Sequence, residues 1–239
     1  MRIGIISDIH GNLEALESVS NELKDVDKII CLGDIVGYGP DPETCIEIVK
    51  EISSVIIAGN HDWGVCEKTD IKNFNRVAKE AILWTKDNLK ETSKNFLSSL
   101  PLIHKEGDYI FSHSTFNNPS EWDYILYEED ASIEFRHFEE IAGFVGHSHI
   151  PVVFVKLNND VYAESVKEII LNKNARFIIN PGSVGQPRDG ISDASFLILD
   201  TEKSSIIIKR KMYDIKKTYE KILKNGLPKI LGERLFYGK

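Results

Sequence analysis

Three cysteines in 239 residues, Cys31, Cys45 and Cys66, are an odd number without a CxxC spacing. That argues against a disulfide framework and against a thiolate zinc site, and leaves free buried thiols as the expectation. No apolar run has the length a bilayer demands, and the N-terminus enters a strand-like run at once, without a basic region and cleavage site. A cytoplasmic location with no membrane partner is therefore expected. An excess of cations is missing too: 29 Lys and Arg stand against 37 Asp and Glu, a formal net charge of -8. General nucleic-acid binding depends on clustered cations neutralising phosphates, so this balance disfavours it. An acidic protein can still act on phosphates where metal ions supply positive charge locally.

What remains is ordinary globular composition, 42% hydrophobic and 28% charged, at a length able to bury one substantial core. No internal repeat or low-complexity linker interrupts it, so residues 1–239 are read as a single domain. Five short apolar runs each end in a residue that can bind a metal. Ile3 to Ile6 runs into Asp8 and His10, Lys28 to Leu32 into Asp34, and Val55 to Ala58 into Asn60. Tyr109 to Phe111 runs into His113, and Gly143 to Val145 into His147 and His149. Asp and Asn occupy many strand ends for turn reasons alone. Five such endings, with Gly11, Gly33, Gly59 and Gly146 letting the backbone turn beside the ligand, make a metal site the leading reading.

The first 60 residues alternate strand (2–7), helix (13–24), strand (28–32), helix (43–51) and strand (55–58), the rhythm of βαβ units in a largely parallel sheet. Asp41 with Pro42 reads as a helix start, and Leu13, Leu16, Val19 and Leu23 trace one helical face. Residues 73–100 read as one helical excursion ended by Pro101. Short strands follow near 152–157, 161–166, 176–180, 195–199 and 205–211, predicting a second, mostly antiparallel or mixed sheet packed on the first. A last helix starts from Asp214 as N-cap and runs to about Lys224. In open α/β sheets, ligands collect outside the carboxyl ends of the strands, so all five clusters can meet there. Carboxylate, imidazole and amide oxygen without thiolate suit Mn, Fe, Zn, Ni or Co, and four histidines disfavour Ca or Mg alone. Seven ligands are too many for one open catalytic ion and fit two ions sharing a carboxylate.

The series Asp8-Ile9-His10, Gly33-Asp34, Gly59-Asn60-His61-Asp62, Ser112-His113 and Gly146-His147-Ser148-His149 resembles the calcineurin-like metallophosphoesterase superfamily. Gly37-Tyr38-Gly39-Pro40 and the run Asn180 to Arg188 are similar to its small prokaryotic branch of phosphodiesterases and diadenosine tetraphosphatase-like proteins. The chain departs from the family pattern at Ser114, where Gly is frequent, and at Ser148, where Thr is, without losing a ligand. The resemblance implies a four-layer α/β/β/α sandwich with two mixed β-sheets. It implies that Asp8, His10 and His149 hold one ion, Asn60, His113 and His147 the other, and that Asp34 bridges them. His61 is similar to the family's catalytic histidine, which binds no metal, and Asp62 is expected to orient it and favour its protonated form. The expected cofactors are two divalent or trivalent transition-metal ions, Mn first, with Fe, Ni, Co or Zn as alternatives.

Charge dictates the expected chemistry: two cations about 3.5 to 4 Å apart bind phosphate oxygens and acidify a bridging water, and the hydroxide attacks phosphorus in line while His61 protonates or stabilises the departing oxygen. Arg188, in a Gly- and Pro-rich loop, reads either as a bidentate phosphate clamp or as a solvated surface residue. Asn12 reads either as a phosphate contact or as a helix cap. Tyr38, Trp63, Trp122 and Tyr124 can stack on a nucleotide base, with core or rim packing as the plainer use. His104 and His137 fall in no motif. Lys209-Arg210-Lys211 and Lys216-Lys217 are expected as solvated faces, and Glu128-Glu129-Asp130 as the acidic start of a helix. The expected activity is phosphodiester hydrolysis on a small phosphate ester or nucleotide, with phosphomonoester, phosphoprotein or dinucleoside polyphosphate hydrolysis as alternatives, and an oligomer is possible. A non-catalytic interaction scaffold, like the retromer subunit on this fold, is the reading of another class. A scaffold has no reason to keep the ligand set complete. A metal-dependent nuclease is the third, opposed by the acidic balance.

Overall fold

The apolar runs are buried on both faces, and only interior strands of a sheet covered on each side satisfy that condition. In the computed structural model they form two six-stranded sheets, each mixed. The structure describes residues 1–165 and 167–239, with the backbone alone at Asn73. Position 166, the end of the strand expected at 161–166, lies outside the described residues. In chain order the elements are β1 (Arg2–Ile6), α1 (Leu13–Glu22), β2 (Lys28–Cys31), α2 (Pro42–Ile52), β3 (Val55–Ile56), α3 (Asn60–Val65), α4 (Arg76–Asn88) and α5 (Glu91–Ser99). Then come β4 (Ile103–Glu106), β5 (Tyr109–Ser112), α6 (Glu128–Glu134), β6 (Ala142–Phe144), β7 (Val152–Leu157), β8 (Asp160–Glu164) and β9 (Glu168–Ile170). The chain ends with β10 (Ala175–Asn180), β11 (Ala194–Asp200), β12 (Ser205–Lys211), α7 (Ile215–Lys224) and α8 (Lys229–Glu233).

The first sheet runs β3-β2-β1-β11-β12-β9 and the second β4-β5-β6-β10-β7-β8. Each contains three neighbouring parallel strands, β1 to β3 in one and β5, β6 and β10 in the other, flanked by antiparallel ones. Alternation along the strands builds the layers. Ile3, Ile5, Leu197 and Leu199 meet Phe111, Phe144 and Phe177 in one buried cluster between the sheets. Ile6 and Ile198 turn outward to Ala15, Leu16 and Val19 of α1, and Ile110 and Ile178 turn outward to Ala131 of α6 and to Phe135. The result is the four-layer α/β/β/α sandwich.

Three expectations are corrected. The sheets do not divide at Val152: β11 returns to pair with β1, Arg2 opposite Asp200 and Ile5 opposite Leu197, and β12 and β9 follow it into the first sheet. A strand's alternation records that one face is buried, not which neighbour it pairs with. Residues 73–100 form two helices, because Leu89 and Lys90 are extended, and Asn75 caps the first by accepting from the Ala78 amide at 2.9 Å. The tail adds α8 and a 3-10 turn at Arg234–Tyr237 beyond the helix expected to end the chain's regular structure near Lys224.

The basic clusters are paired rather than simply solvated. Lys211 bonds to Glu22 at 2.5 Å, Arg210 to Asp189, and Lys217 to the buried Glu14 at 3.1 Å. Asp41 makes no side-chain cap and instead accepts from Lys221 at 2.8 Å, whereas Asp214 caps α7 through the Lys217 amide. These ties fasten α7 to α1 and to the start of α2, so the tail closes one side of the strand-end crevice. The three thiols are free. Among the described residues no helix is long and apolar enough to cross a membrane.

Phe144 stacks on Phe111 at 5.2 Å in the middle layer. Phe144→Ala is expected to lower unfolding stability by about 3–5 kcal/mol, the usual cost of emptying an aromatic core position. Urea denaturation checks this, and a loss below about 1 kcal/mol would mean that the two sheets are not packed on that side chain.

Candidate metal centre

All six parallel strands end at one edge of the sandwich, and their carboxyl ends deliver the candidate ligands there. Asp8 and His10 follow β1, Asp34 follows β2, and Asn60 opens α3 just after β3. From the second sheet, His113 follows β5, His147 and His149 follow β6, and the loop carrying Arg188 follows β10. The seven candidate ligands are buried. The loops after β1 and β2 are stitched together by Asp8 N–H donating to Gly33 O (3.0 Å), His10 N–H to Asp34 O (2.9 Å) and Gly11 N–H to Ile35 O (2.8 Å).

Five of the seven carry positive φ: Asp8 (54°), His10 (51°), Asp34 (52°), His147 (67°) and His149 (61°). A left-handed backbone at a non-glycine residue costs on the order of 1–3 kcal/mol, and such strain clusters where geometry serves function. This corrects the role given to the glycines. Gly11 and Gly33 do turn the chain with positive φ, but Gly59 and Gly146 do not. They make room instead: a Cβ at 59 would collide with the Asp34 carboxylate, and one at 146 with Ser7.

Four imidazoles are anchored to backbone carbonyls. His10 Nδ1 lies 3.1 Å from Val36 O, His113 Nδ1 2.8 Å from Leu32 O, and His149 Nδ1 2.6 Å from Gln186 O. His147 uses its other nitrogen, Nε2, 2.8 Å from Trp122 O. A carbonyl can only accept, so the facing nitrogen carries the proton, and in a neutral ring the remaining nitrogen presents a lone pair. Those lone pairs crowd other acceptors. His10 Nε2 and His149 Nε2 are 3.1 Å apart, His149 Nε2 is 3.3 Å from Asp8 Oδ1, and His113 Nε2 is 3.2 Å from Asn60 Oδ1. Asp34 Oδ2 stands 3.6 Å from His10 Nε2 and 3.4 Å from His113 Nε2, between the two groups. Acceptors held this close repel one another unless cations sit among them, so the donor set fits metal ions, with Asp34 placed to touch both. Two triads draw their ligand atoms within 4.8 Å of one another, Asp8-His10-His149 and Asp34-His113-His147.

The protein's own protons are a poor substitute. Burial and repulsion drive His10 and His149 well below the ordinary imidazole value and His147 down to about 3. His113 alone moves up, to about 9, because Asp34 and Asp8 outweigh its burial. Burial would raise the Asp34 carboxyl, yet His113 and His61 hold it well below the usual range.

His61 also meets His10 and Asp34 within a ligand's reach, but its ring has no carbonyl anchor and its buried Nδ1 has no partner among the described residues. It lies edge-on to His10 and Tyr38 at 4.8 and 4.5 Å, facing the cleft. Asp62 does not orient it. The Asp62 carboxylate accepts from the amides of Ile35 (2.9 Å), Val36 (3.2 Å) and Gly59 (3.0 Å), which fixes the loops around Asp34 instead. Nor is the protonated form of His61 favoured: burial pushes its pKa down to about 4, with Asp34 opposing and Arg188 and His113 adding repulsion.

Asn12 is the cap and not a substrate contact. Its Oδ1 accepts from the Ala15 amide and the Thr218 hydroxyl, and its Nδ2 donates to Gly185 O, so no polar atom is left over. Arg188 lines the cleft, with Nη2 on Gln186 Oε1 at 3.0 Å and a buried Nε without a partner among the described residues. Of the aromatics, Tyr38, Trp122 and Tyr124 line the cleft; Trp63 is absent from its lining and packs edge-on against Trp122 at 5.7 Å. His104 pairs with Glu106, outside the site. Sequence reading gave no role to Asn180 and Ser183, whose side chains tie the Gly146 and Asp8 carbonyls to the β10 loop. Their presence in the Asn180-Pro181-Gly182-Ser183 run was the available signal.

Residues 1–204 match a family model described as the calcineurin-like phosphoesterase superfamily domain. An uncharacterised protein of Methanocaldococcus jannaschii is 47% identical over 245 residues, which cover 99% of this chain and 98% of that protein. The crystal structure of a metallophosphoesterase from Sphaerobacter thermophilus is similar at a TM-score of 0.90 and 37% identity, over 100% of this chain and 99% of that one. A hypothetical protein of Pyrococcus horikoshii OT3 shares the fold at a TM-score of 0.81 and 20% identity, over 100% and 98%.

Metal loading is expected to raise the unfolding temperature, by an increment equivalent to about 2.7 kcal/mol at a free metal concentration 100 times the dissociation constant. Equilibrium dialysis against Mn²⁺ with elemental analysis is expected to give two ions per chain in the wild type and fewer than two in Asp34→Ala. Two ions retained by Asp34→Ala would show that Asp34 is not the shared ligand.

Proposed function

The chain belongs to the calcineurin-like phosphoesterase superfamily, and on that premise we propose that it is a dinuclear metal-dependent phosphoesterase acting on phosphodiesters. The observation that carries this reading is the crowding of imidazole lone pairs, two carboxylates and an amide oxygen at the floor of a cleft of about 390 Å³. Asp8, His10 and His149 would hold one ion, Asn60, His113 and His147 the second, and Asp34 both. Bound there, the ions supply the positive charge that draws in phosphate oxygens and lowers the pKa of a water. Mn is the first choice, with Fe, Ni, Co or Zn as alternatives that the same donors accept.

The remaining chemistry falls to residues of the chain. His61 lines the cleft, placed to donate a proton or a hydrogen bond to the departing oxygen. Arg188 brings a guanidinium to the same cleft, where it can bind a non-bridging phosphate oxygen. Among the described residues Arg188 is the one Lys or Arg lining the cleft, and Asp70 and Glu121 stand at its wall. A diester's single negative charge suits that balance better than a monoester dianion does. The assembled ligand set and the concave cleft together disfavour a purely structural scaffold.

A hydrolysis screen of the metal-reconstituted protein against mono-, di- and polyphosphate esters, with Asp34→Ala as the blank, tests the assignment. Turnover is expected on diesters first and none in the blank; a metal-replete protein inert on every ester would end the hydrolase reading. His61→Ala is expected to lower turnover at least about 100-fold while both ions stay bound, the usual scale of general acid help. Wild-type turnover in that metal-replete variant would remove His61 from the reaction.

A further inference from the structure

Tyr124 occupies an unusual position for a tyrosine in a folded chain. Its ring lies flat on the imidazole of His147, 4.0 Å between centroids and 11° from parallel, yet the residue is 46% exposed. It belongs to none of the buried apolar clusters, so packing the core does not account for it. One face is covered by a candidate metal ligand, and the residue lines the cleft. Its neighbours are held. The Trp122 indole N–H donates to Thr69 Oγ1 at 2.9 Å, and the Trp122 carbonyl fixes His147, so the turn that carries Tyr124 is braced from both sides. The Arg188 guanidinium stands beside the Tyr124 hydroxyl and 5.9 Å from the centre of the Tyr38 ring. Phe74 adds a further aromatic surface to the same cleft.

We infer that Tyr124 is a stacking platform for a planar group of the substrate, and that the diester taken by this cleft is a nucleoside phosphodiester whose base lies on the outer face of that ring. The inference rests on the phosphoesterase reading above and adds the identity of the group next to the scissile phosphate. The geometry connects the two ends. A base on Tyr124 is one ring beyond His147, so its sugar phosphate reaches the metal cluster, while Arg188, beside the phenol, meets the phosphate charge. A volume of about 390 Å³ lies within the roughly 300–1,000 Å³ of small-molecule sites, which favours one nucleotide unit over a phosphoprotein surface. Asp70 and Glu121 at the wall and the net charge of -8 repel a long polyanion, which favours a small nucleotide over a nucleic-acid strand. Aromatic stacking is indifferent to which base is bound, so the platform sets the class of substrate and leaves the base unspecified.

The test compares two ligands that cannot be hydrolysed and carry a diester's single negative charge, the adenosine analogue with a methylphosphinate in place of the 5′-phosphodiester and the matching ribose methylphosphinate without a base. Both are titrated calorimetrically into the Mn-loaded wild type, Tyr124→Ala and Tyr124→Phe. Stacking on an aromatic side chain is worth roughly 5-fold to 150-fold in affinity per base, so the base is expected to tighten wild-type binding at least about 10-fold. Tyr124→Ala should cut that advantage to under about threefold, and Tyr124→Phe should keep it, because the face and not the hydroxyl is used. An equal affinity for the two ligands in the wild type, or an undiminished advantage in Tyr124→Ala, overturns the platform and leaves the phosphoesterase reading standing. If neither phosphinate binds the Mn-loaded wild type, both readings fall together.

Discussion

Four backbone carbonyls, those of Leu32, Val36, Trp122 and Gln186, each take up one ring nitrogen of a histidine, and the rest of the structure depends on that arrangement. By fixing where the protons lie, they aim the opposite nitrogens and their lone pairs into one small volume already holding Asp8 and Asp34. Such a volume is unfavourable by itself. Like-signed acceptors a little over 3 Å apart, removed from water, raise one another's energy, and the pKa values respond in opposite directions at His113 and at His10, His147 and His149. A stable fold keeps such a centre only if something else holds it open and a cation relieves it.

What holds it open is the sandwich. Each sheet contributes a parallel trio of strands ending at the same edge, so the crevice expected at the carboxyl ends of one α/β sheet is here built twice and closed face to face. The middle layer, with Ile3 and Ile5 against Phe111, Phe144 and Phe177, sets the spacing between the two trios. Strain at Asp8, His10, Asp34, His147 and His149 is absorbed by that frame and by the amide bonds to Asp62 and Asp8. The same frame leaves one side open, where Arg188, His61 and Tyr124 line the cleft beside the candidate ligands.

Much of this was legible beforehand. The strand-end pattern of Asp8, Asp34, Asn60, His113, His147 and His149 carries the convergence, because a strand end is a local property and the crevice rule supplies the rest. The partners of β11 and β12 were not legible, since alternation is the same in either sheet. Asp62 differs from expectation for a related reason: beside His61 in sequence, it turns to the amides of Ile35, Val36 and Gly59, which no spacing reveals. Asn12 offered two readings, and only the presence of Ala15, Gly185 and Thr218 around its carboxamide chose the cap.

The sequence by itself determined the inventory: which donors exist, that thiolate is not among them, and that they follow strands. Inventory is chemistry, and side-chain chemistry is written in residue types. Only the tertiary structure decided the roles, because these depend on backbone carbonyls, left-handed turns and open ring faces. A carbonyl is present at every position and carries no signature, so the anchoring of His147 by Trp122, and with it the flat seat of Tyr124, appears only when distant loops have been brought together.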